Sequence, residues 1–295
     1  MLIAIYENSP GDAVRAFHDG AKLLGHDVLW RRQKDHFCDY ADLAVLYGLK
    51  KVNLSLLASC QAHGVPTVVI EWGHLLRSSG YHQVNIDQLC WLPPVECPAD
   101  RFEALNLERA TERKDGGEYV LVCGQTPGDA QHQMGWPEIV EWQNKLIREI
   151  KALTDRPIRY RPHPNTLIST QSGSFVNPET ANVVSNPLKV SLRDDLAGAH
   201  CMVTFNSTCG QEALLMGVPV FCDPMAIYSG VANTDLENID DPEWHDTEEY
   251  FNRLAYSQWT LPEVANGTAL AFLSQFIEQE TDEEPSPDSD GLPAI

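Results

Sequence analysis

Four short stretches of the chain place reactive side chains where an apolar strand gives way to a turn. In VTFNSTCGQEALLMGVPVFC, residues 203–222, an apolar run ends at Phe205 and Asn206-Ser207-Thr208 forms a polar hinge. A helical pattern then runs to Gly217, and a second apolar run follows. Ser207 and Thr208 bring two hydroxyls to the unpaired N–H groups of a helix start, where the dipole also favours an anion, so the turn suits a phosphate. The same hydroxyls suit a plain helix cap. Arg161-Pro162-His163-Pro164 follows the run 158–160. Two prolines hold His163 stiffly. A stiff histidine at a strand end suits proton donation or a hydrogen bond to a departing phosphate, and equally a turn bonded to backbone. Glu71-Trp72-Gly73 follows the run 67–70, where a carboxylate suits general base catalysis or an ordinary cap or ion pair. Gly124-Gln125-Thr126-Pro127-Gly128-Asp129 follows the run 119–123, and its glycines admit a ligand close to the backbone.

These turns need strands that all end on one side. Apolar runs at 2–6, 28–30, 43–47 and 67–70 alternate with helical periods at 12–24 and 54–63. The alternation predicts a parallel sheet covered on both faces. Residues 92–117 interrupt it with Pro93-Pro94, Pro98, charges and Asp115-Gly116-Gly117. It resumes with strands at 119–123, 158–161, 183–184, 202–205 and 218–222 and helices at 136–153, 191–199 and 208–216. Helices near 247–257 and 261–277 close the chain. The expected fold class is therefore α/β, with two Rossmann-like domains facing a central cleft. The expected division is 1–115, 116–260, a closing helix 261–280 and a disordered acidic tail 281–295. Ligands bind beyond the carboxyl ends of strands in such sheets.

A hydrophobic content of 43% in 295 residues supports a large core. The net charge of −21 is partly local, since 278–290 holds seven acidic residues and no base. An acidic body repels nucleic-acid backbones, which leaves Arg31, Arg32, Lys34, Lys50 and Lys51 as a local basic rim for any such contact. The eight cysteines show no CxxC spacing and read as reduced thiols of a cytoplasmic protein. The first six residues are one strand long and not a signal peptide, and no run approaches the length of a transmembrane helix. The pairs Asp194-Asp195 and Asp240-Asp241 raise the question of a metal. A helix first turn accounts for the former and a solvated loop for the latter, so none is expected.

The order EWGHLLRS, VLVCGQTPGDAQ, RPHP, then SLRDDLAGAHCMVTFNSTCGQEALLMGVPVFC with YSG after it resembles the capsule-synthesis proteins that include the bacterial β-Kdo transferases. In that family the four motifs read like E-D-G-F-L-R-S, V-P-G-Q-x-x-x-D-A-S, H-P, and a Ser/Thr pair before G-x-E-A-L-x-x-G-x-P-V. RLAYSQWTLPEVANG also looks like family sequence, and the resemblance covers about residues 65–270. It implies a GT-B glycosyltransferase with a nucleotide-sugar co-substrate on the second domain, metal-independent transfer and no cofactor. By position, His163 would assist the departing nucleotide phosphate, and Ser207 and Thr208 would hold that phosphate or a donor carboxylate. Glu212 would sit near the ribose, and Gly124 and Gln125 would line the donor cleft, with Arg161 in the same donor set. Trp72 replaces the family's acidic base, so the base falls to Glu71, or to Asp87 in YHQVNIDQL. The expected acceptor is a glycan or glycolipid hydroxyl. The alternatives are a phage-type enzyme acting on hydroxymethylated DNA bases, a sugar-nucleotide epimerase or hydrolase on the same fold, and a non-catalytic nucleotide-sugar-binding relic.

Overall fold

The computed structural model describes residues 1–7, 11–34, 41–169 and 183–280. In chain order they form β1 (Leu2–Tyr6), α1 (Asp12–Leu23), β2 (Asp27–Arg31), β3 (Leu43–Tyr47), α2 (Lys51–Ala62), β4 (Thr67–Trp72) and β5 (Tyr81–Ile86). Next come α3 (Asp100–Ala104), β6 (Tyr119–Cys123), α4 (Trp136–Leu153), β7 (Ile158–Arg161), α5 (Pro164–Ser169), β8 (Val183–Val184) and α6 (Leu192–Ala197). The remainder is β9 (Ala199–Val203), α7 (Cys209–Leu215), β10 (Val220–Phe221), α8 (Glu248–Tyr256), β11 (Gln258–Thr260), α9 (Leu261–Ala265) and α10 (Thr268–Glu280). The acidic tail expected at 281–295 lies outside the described residues.

The chain divides into two compact units. Unit 1 joins Met1–Trp91 to the segment from Gln258 onward, and unit 2 is Leu92–Ser257. The stretch from 92 to 115 thus goes with unit 2, and the closing segment belongs to unit 1. The reason for the first is visible in hydrogen bonds: the Ala110 amide donates to the Leu215 carbonyl at 2.9 Å and the Lys114 amide to Gly217 at 2.7 Å.

Among the described residues, the sheet of unit 1 has the order β11-β5-β4-β3-β1-β2. Strands β2, β1, β3 and β4 are parallel, as the alternating pattern predicts. Their inner strands are buried apolar runs, which a sheet covered on both faces requires. The other edge departs from expectation, because β5 pairs antiparallel with β4 and β11 antiparallel with β5. Strand β5 carries buried His82, Gln83 and Asn85, so its sequence shows no apolar run. These polar side chains are paired inside the sheet. Gln83 Nε2 donates to the Trp72 carbonyl at 2.8 Å, Asn85 Nδ2 to Val69 at 2.9 Å, and the Trp91 amide to Asn85 Oδ1 at 3.0 Å.

The expected single closing helix is two. Thr260 and Glu263 form a capping box that starts α9, and Gly267 at φ +83° breaks the chain before α10. Helix α9 packs on α1 with backbone in contact, since a Cβ at Gly20 would strike the Val264 carbonyl.

Unit 2 holds an all-parallel sheet in the order β10-β9-β6-β7-β8. Its core gathers Val120, Val122, Ile147, Ile150, Ile158, Tyr160, Cys201 and Phe221, with α4 laid across one face. Strand β9 begins at Ala199, earlier than its apolar pattern suggests, because a bulge beside Tyr119 and Val120 lets Ala199 and Cys201 pair with β6.

Candidate active site

In unit 2 the chain leaves β6 through β7 and β8 on one side and returns through β9 and β10 on the other. The reversal falls between β6 and β9, the kind of point where ligands bind in open parallel sheets. The turns after β6, β7 and β9 carry Gly124-Gln125, Pro162-His163 and Thr204 to Thr208. Because these strands are neighbours, the three turns stand side by side.

A hydrogen-bonded clip spans the reversal. The buried Gln125 donates from Nε2 to Thr204 Oγ1 at 2.8 Å, and Thr204 Oγ1 donates to the Cys123 carbonyl at 3.2 Å. Asn206 Nδ2 adds a bond to Gln131 Oε1 at 3.0 Å, and Phe205 meets Trp142 and His132 edge-on at 5.7 and 5.8 Å. Gly124 has a packing reason of its own, since a Cβ there would collide with the Tyr160 phenol. That hydroxyl donates to Gln143 Oε1 at 2.5 Å, and burial raises its pKa.

The entry to α7 is fixed by Tyr228. Its hydroxyl donates to the Ser207 carbonyl at 2.7 Å, and its ring occupies the space a Cβ on Gly210 would need. Ser207 Oγ accepts the Cys209 amide at 3.4 Å, a long cap. Thr208 precedes the helix with φ −58° and ψ −18° and makes no side-chain cap bond. Capping therefore uses Ser207 weakly and Thr208 not at all. Glu212 lies exposed in the first turn of α7.

His163 opens α5. Its Nδ1 accepts the Asn165 amide at 3.2 Å, and its carbonyl accepts Thr166 Oγ1 at 2.6 Å. With Nδ1 accepting, the neutral ring carries its proton on Nε2. The same contact that makes it a turn histidine selects the tautomer that donates from Nε2.

Arg161 turns into the interior. Its Nη1 donates to Asp195 Oδ2 at 2.6 Å and to the Val190 carbonyl at 3.0 Å. Asp195 is fully buried in α6, where it also accepts Arg159 Nη1 at 3.1 Å and Ser185 Oγ at 2.5 Å. The Arg159 guanidinium lies 4.1 Å over the Tyr119 ring. Arg161 is thus an ion-pair partner of Asp195 within unit 2. Asp195, read as a helix first-turn residue, is the anion that holds both arginines. Arg159 and Arg161 on one face of a buried strand were the sequence signal for it.

The other paired carboxylates are also held by protein groups. Asp194 accepts Ser191 Oγ at 2.7 Å, Asp240 accepts Thr154 Oγ1 at 2.6 Å and Arg156 Nε at 3.2 Å, and Asp241 faces Arg113 at 3.4 Å. Among the described residues no group of three or more His, Cys, Asp or Glu could hold a metal ion.

In unit 1 the corresponding reversal lies between β1 and β3, and Glu7 and Tyr47 stand at the ends of those strands. Glu71, next to last in β4, lies beside them, its Oε2 filling the space above Gly48. Burial raises the Tyr47 pKa, and the carboxylates of Glu71 and Glu7 raise it further. Glu71 Oε1 also accepts the Trp72 amide at 2.9 Å. Asp87 lies at the opposite end of β4, because the stretch expected to fold back is the antiparallel β5. There its Oδ1 accepts the Thr67 amide at 2.7 Å, and its own amide donates to the Thr67 carbonyl at 2.8 Å. The structure therefore does not bring Glu71 and Asp87 together.

A family model described as capsule polysaccharide biosynthesis protein matches residues 97–260. Among solved structures, the chain is similar to the β-Kdo 2,4-transferase of Thermosulfurimonas dismutans KpsC. The identity is 14%, over 88% of this chain and 91% of that one, with a TM-score of 0.58. The β-Kdo 2,7-transferase of the same KpsC is similar at 14% identity, over 93% and 100%, with a TM-score of 0.56. At such identities the likeness shows the fold, two Rossmann-like α/β units. No curated protein matches the chain. No described helix is long and apolar enough to cross a membrane.

Proposed function

Because the chain belongs to the capsule polysaccharide biosynthesis family, we propose that it is a GT-B glycosyltransferase that moves a sugar from a nucleotide donor to a glycan hydroxyl. The observation that carries this reading is the row of three turns at the reversal of the unit 2 sheet. Backbone N–H groups and the hydroxyls of Ser207 and Thr208 there suit the donor phosphates. His163 donates from Nε2 to the leaving phosphate, and Gln125, held by Thr204, lines the donor. Glu71 takes the proton from the acceptor hydroxyl. The displacement uses no metal, with charge on the leaving group met by His163 and the turn amides.

Calorimetry with CMP, UDP and GDP tests the donor site, and turnover with the matching nucleotide sugar tests the reaction. One nucleotide binds, His163→Ala lowers kcat by about 10²-fold with the fold intact, and turnover survives EDTA. Absence of nucleotide binding overturns the reading, and loss of turnover in EDTA restored by Mg²⁺ overturns its metal-free form.

A further inference from the structure

Trp72 stands at the carboxyl end of β4, next in sequence to Glu71, with half of its surface exposed (50%). One face of the indole is backed by His82, its cross-strand partner, with ring centroids 5.1 Å apart and planes 25° from parallel. The support is itself fixed. His82 Nδ1 bonds the Gly80 carbonyl at 3.1 Å, and the Trp72 carbonyl accepts Gln83 Nε2 at 2.8 Å. Burial lowers the pKa of His82 and so favours its neutral ring beneath the indole. An indole half exposed at a strand end and held flat on a fixed support offers a rigid apolar face to a ligand.

We infer that Trp72 is the platform on which a sugar ring of the acceptor seats, which deepens the transferase reading and rests on it for the word acceptor. A pyranose has one face of C–H groups, weakly positive, that fits the negative face of an indole. Trp72 follows Glu71 in β4, and the Glu71 carboxylate acts on His82, the ring that backs the indole, so a sugar on the platform lies within electrostatic reach of that carboxylate. The groups around the platform select against a polyanion. Glu71 and Glu7 act together on Tyr47, and Glu71 also acts on His82. The cation of the turn is Arg77, exposed, with Nε bonded to the Gly73 carbonyl at 2.6 Å. One guanidinium among carboxylates, on a chain of net charge −21, does not make a phosphate track.

The test is saturation-transfer NMR on the full chain with a panel of methyl hexosides, a methyl ulosonic-acid glycoside and an oligothymidylate, at millimolar concentration. At least one glycoside takes up saturation on the protons of one ring face. Trp72→Ala weakens that binding about tenfold, and Trp72→Phe keeps most of it. Nucleotide affinity, measured by calorimetry on the same proteins, stays unchanged in both variants, and circular dichroism and urea unfolding show that they are folded. If no glycoside binds, if Trp72→Ala binds as well as wild type, or if only the oligothymidylate binds, the platform is overturned. A nucleotide that binds without any glycoside removes the platform and leaves the transferase reading standing. A glycoside that binds through Trp72 without any nucleotide keeps the platform and removes the transferase reading.

Discussion

Gln125 and Thr204 are joined side chain to side chain, at 2.8 Å, across the point between β6 and β9 where the chain reverses direction. A buried amide held this way costs free energy when its acceptor is lost. Thr204→Val should therefore destabilise the protein by about 1–3 kcal/mol in urea unfolding. The double variant Thr204→Val, Gln125→Leu should recover most of that, because both polar groups leave together. Nucleotide affinity separates scaffold from contact. If the double variant binds nucleotide like wild type, Gln125 only clips the turns together.

Asp195 is the shared anion of Arg159 and Arg161. Asp195→Asn leaves the nearly buried Arg161 without its counter-charge, and the expected loss is about 3 kcal/mol. Arg159 is about one-third exposed and is discounted for solvent screening. A loss below about 0.5 kcal/mol in denaturant unfolding would show that the cluster is not holding β7 to α6.

Glu71 and Asp87 stand at opposite ends of β4, so their substitutions should separate cleanly. Glu71→Gln should lower kcat by roughly 10²-fold or more and leave donor affinity nearly unchanged. Asp87→Asn should turn over normally, and Asp87→Ala should cost about 1 kcal/mol of stability through the lost bond to the Thr67 amide. Normal turnover of Glu71→Gln with a dead Asp87→Asn would reverse the assignment.

His74 is buried, neither ring nitrogen has a hydrogen-bond partner among the described residues, and burial lowers its pKa from 6.5 to about 3. A lowered histidine pKa means that the unfolded chain takes up a proton the folded one refuses. This contribution to stability is complete above pH 6.5 and is lost as pH falls toward 3. The resemblance places phenylalanine near this position. His74→Phe should stabilise the protein below pH 6, by a margin that grows about 1.4 kcal/mol per pH unit. Parallel stability curves for the two proteins between pH 6 and 4 would disprove it.

Much of unit 2 was legible because its central strands β6 and β9 are buried on both faces and so read as plain apolar runs. Strands β6 and β7 fall where the runs fall, and α4 begins at a proline-bearing first turn and ends where its amphipathic period ends. His163 and the Ser207 turn were visible for the same reason, since each follows such a run. Strand β5 was hidden because Gln83 and Asn85 bond backbone within the sheet, so polar residues occupy positions that pattern reading assigns to apolar ones. The ion pair of Arg161 was not legible because its partner is thirty-four residues away in sequence, beyond the reach of a local motif. The same limit applies to Asp87, whose distance from Glu71 depends on a strand direction that the sequence pattern did not reveal.

The pairing of β11 with β5 has a consequence for synthesis of the chain. Unit 1 is begun by the first ninety-one residues and finished only by those after Ser257, with all of unit 2 made in between. A ribosome adding roughly 5–20 residues per second leaves the free edge of β5 uncovered for many seconds, while unit 2 can already fold. That edge, with its row of unpaired N–H and C=O groups, is a template for association until β11 covers it. Chains that stop short of Gln258 would keep it permanently, and β11 is therefore the strand that closes the edge of the first domain.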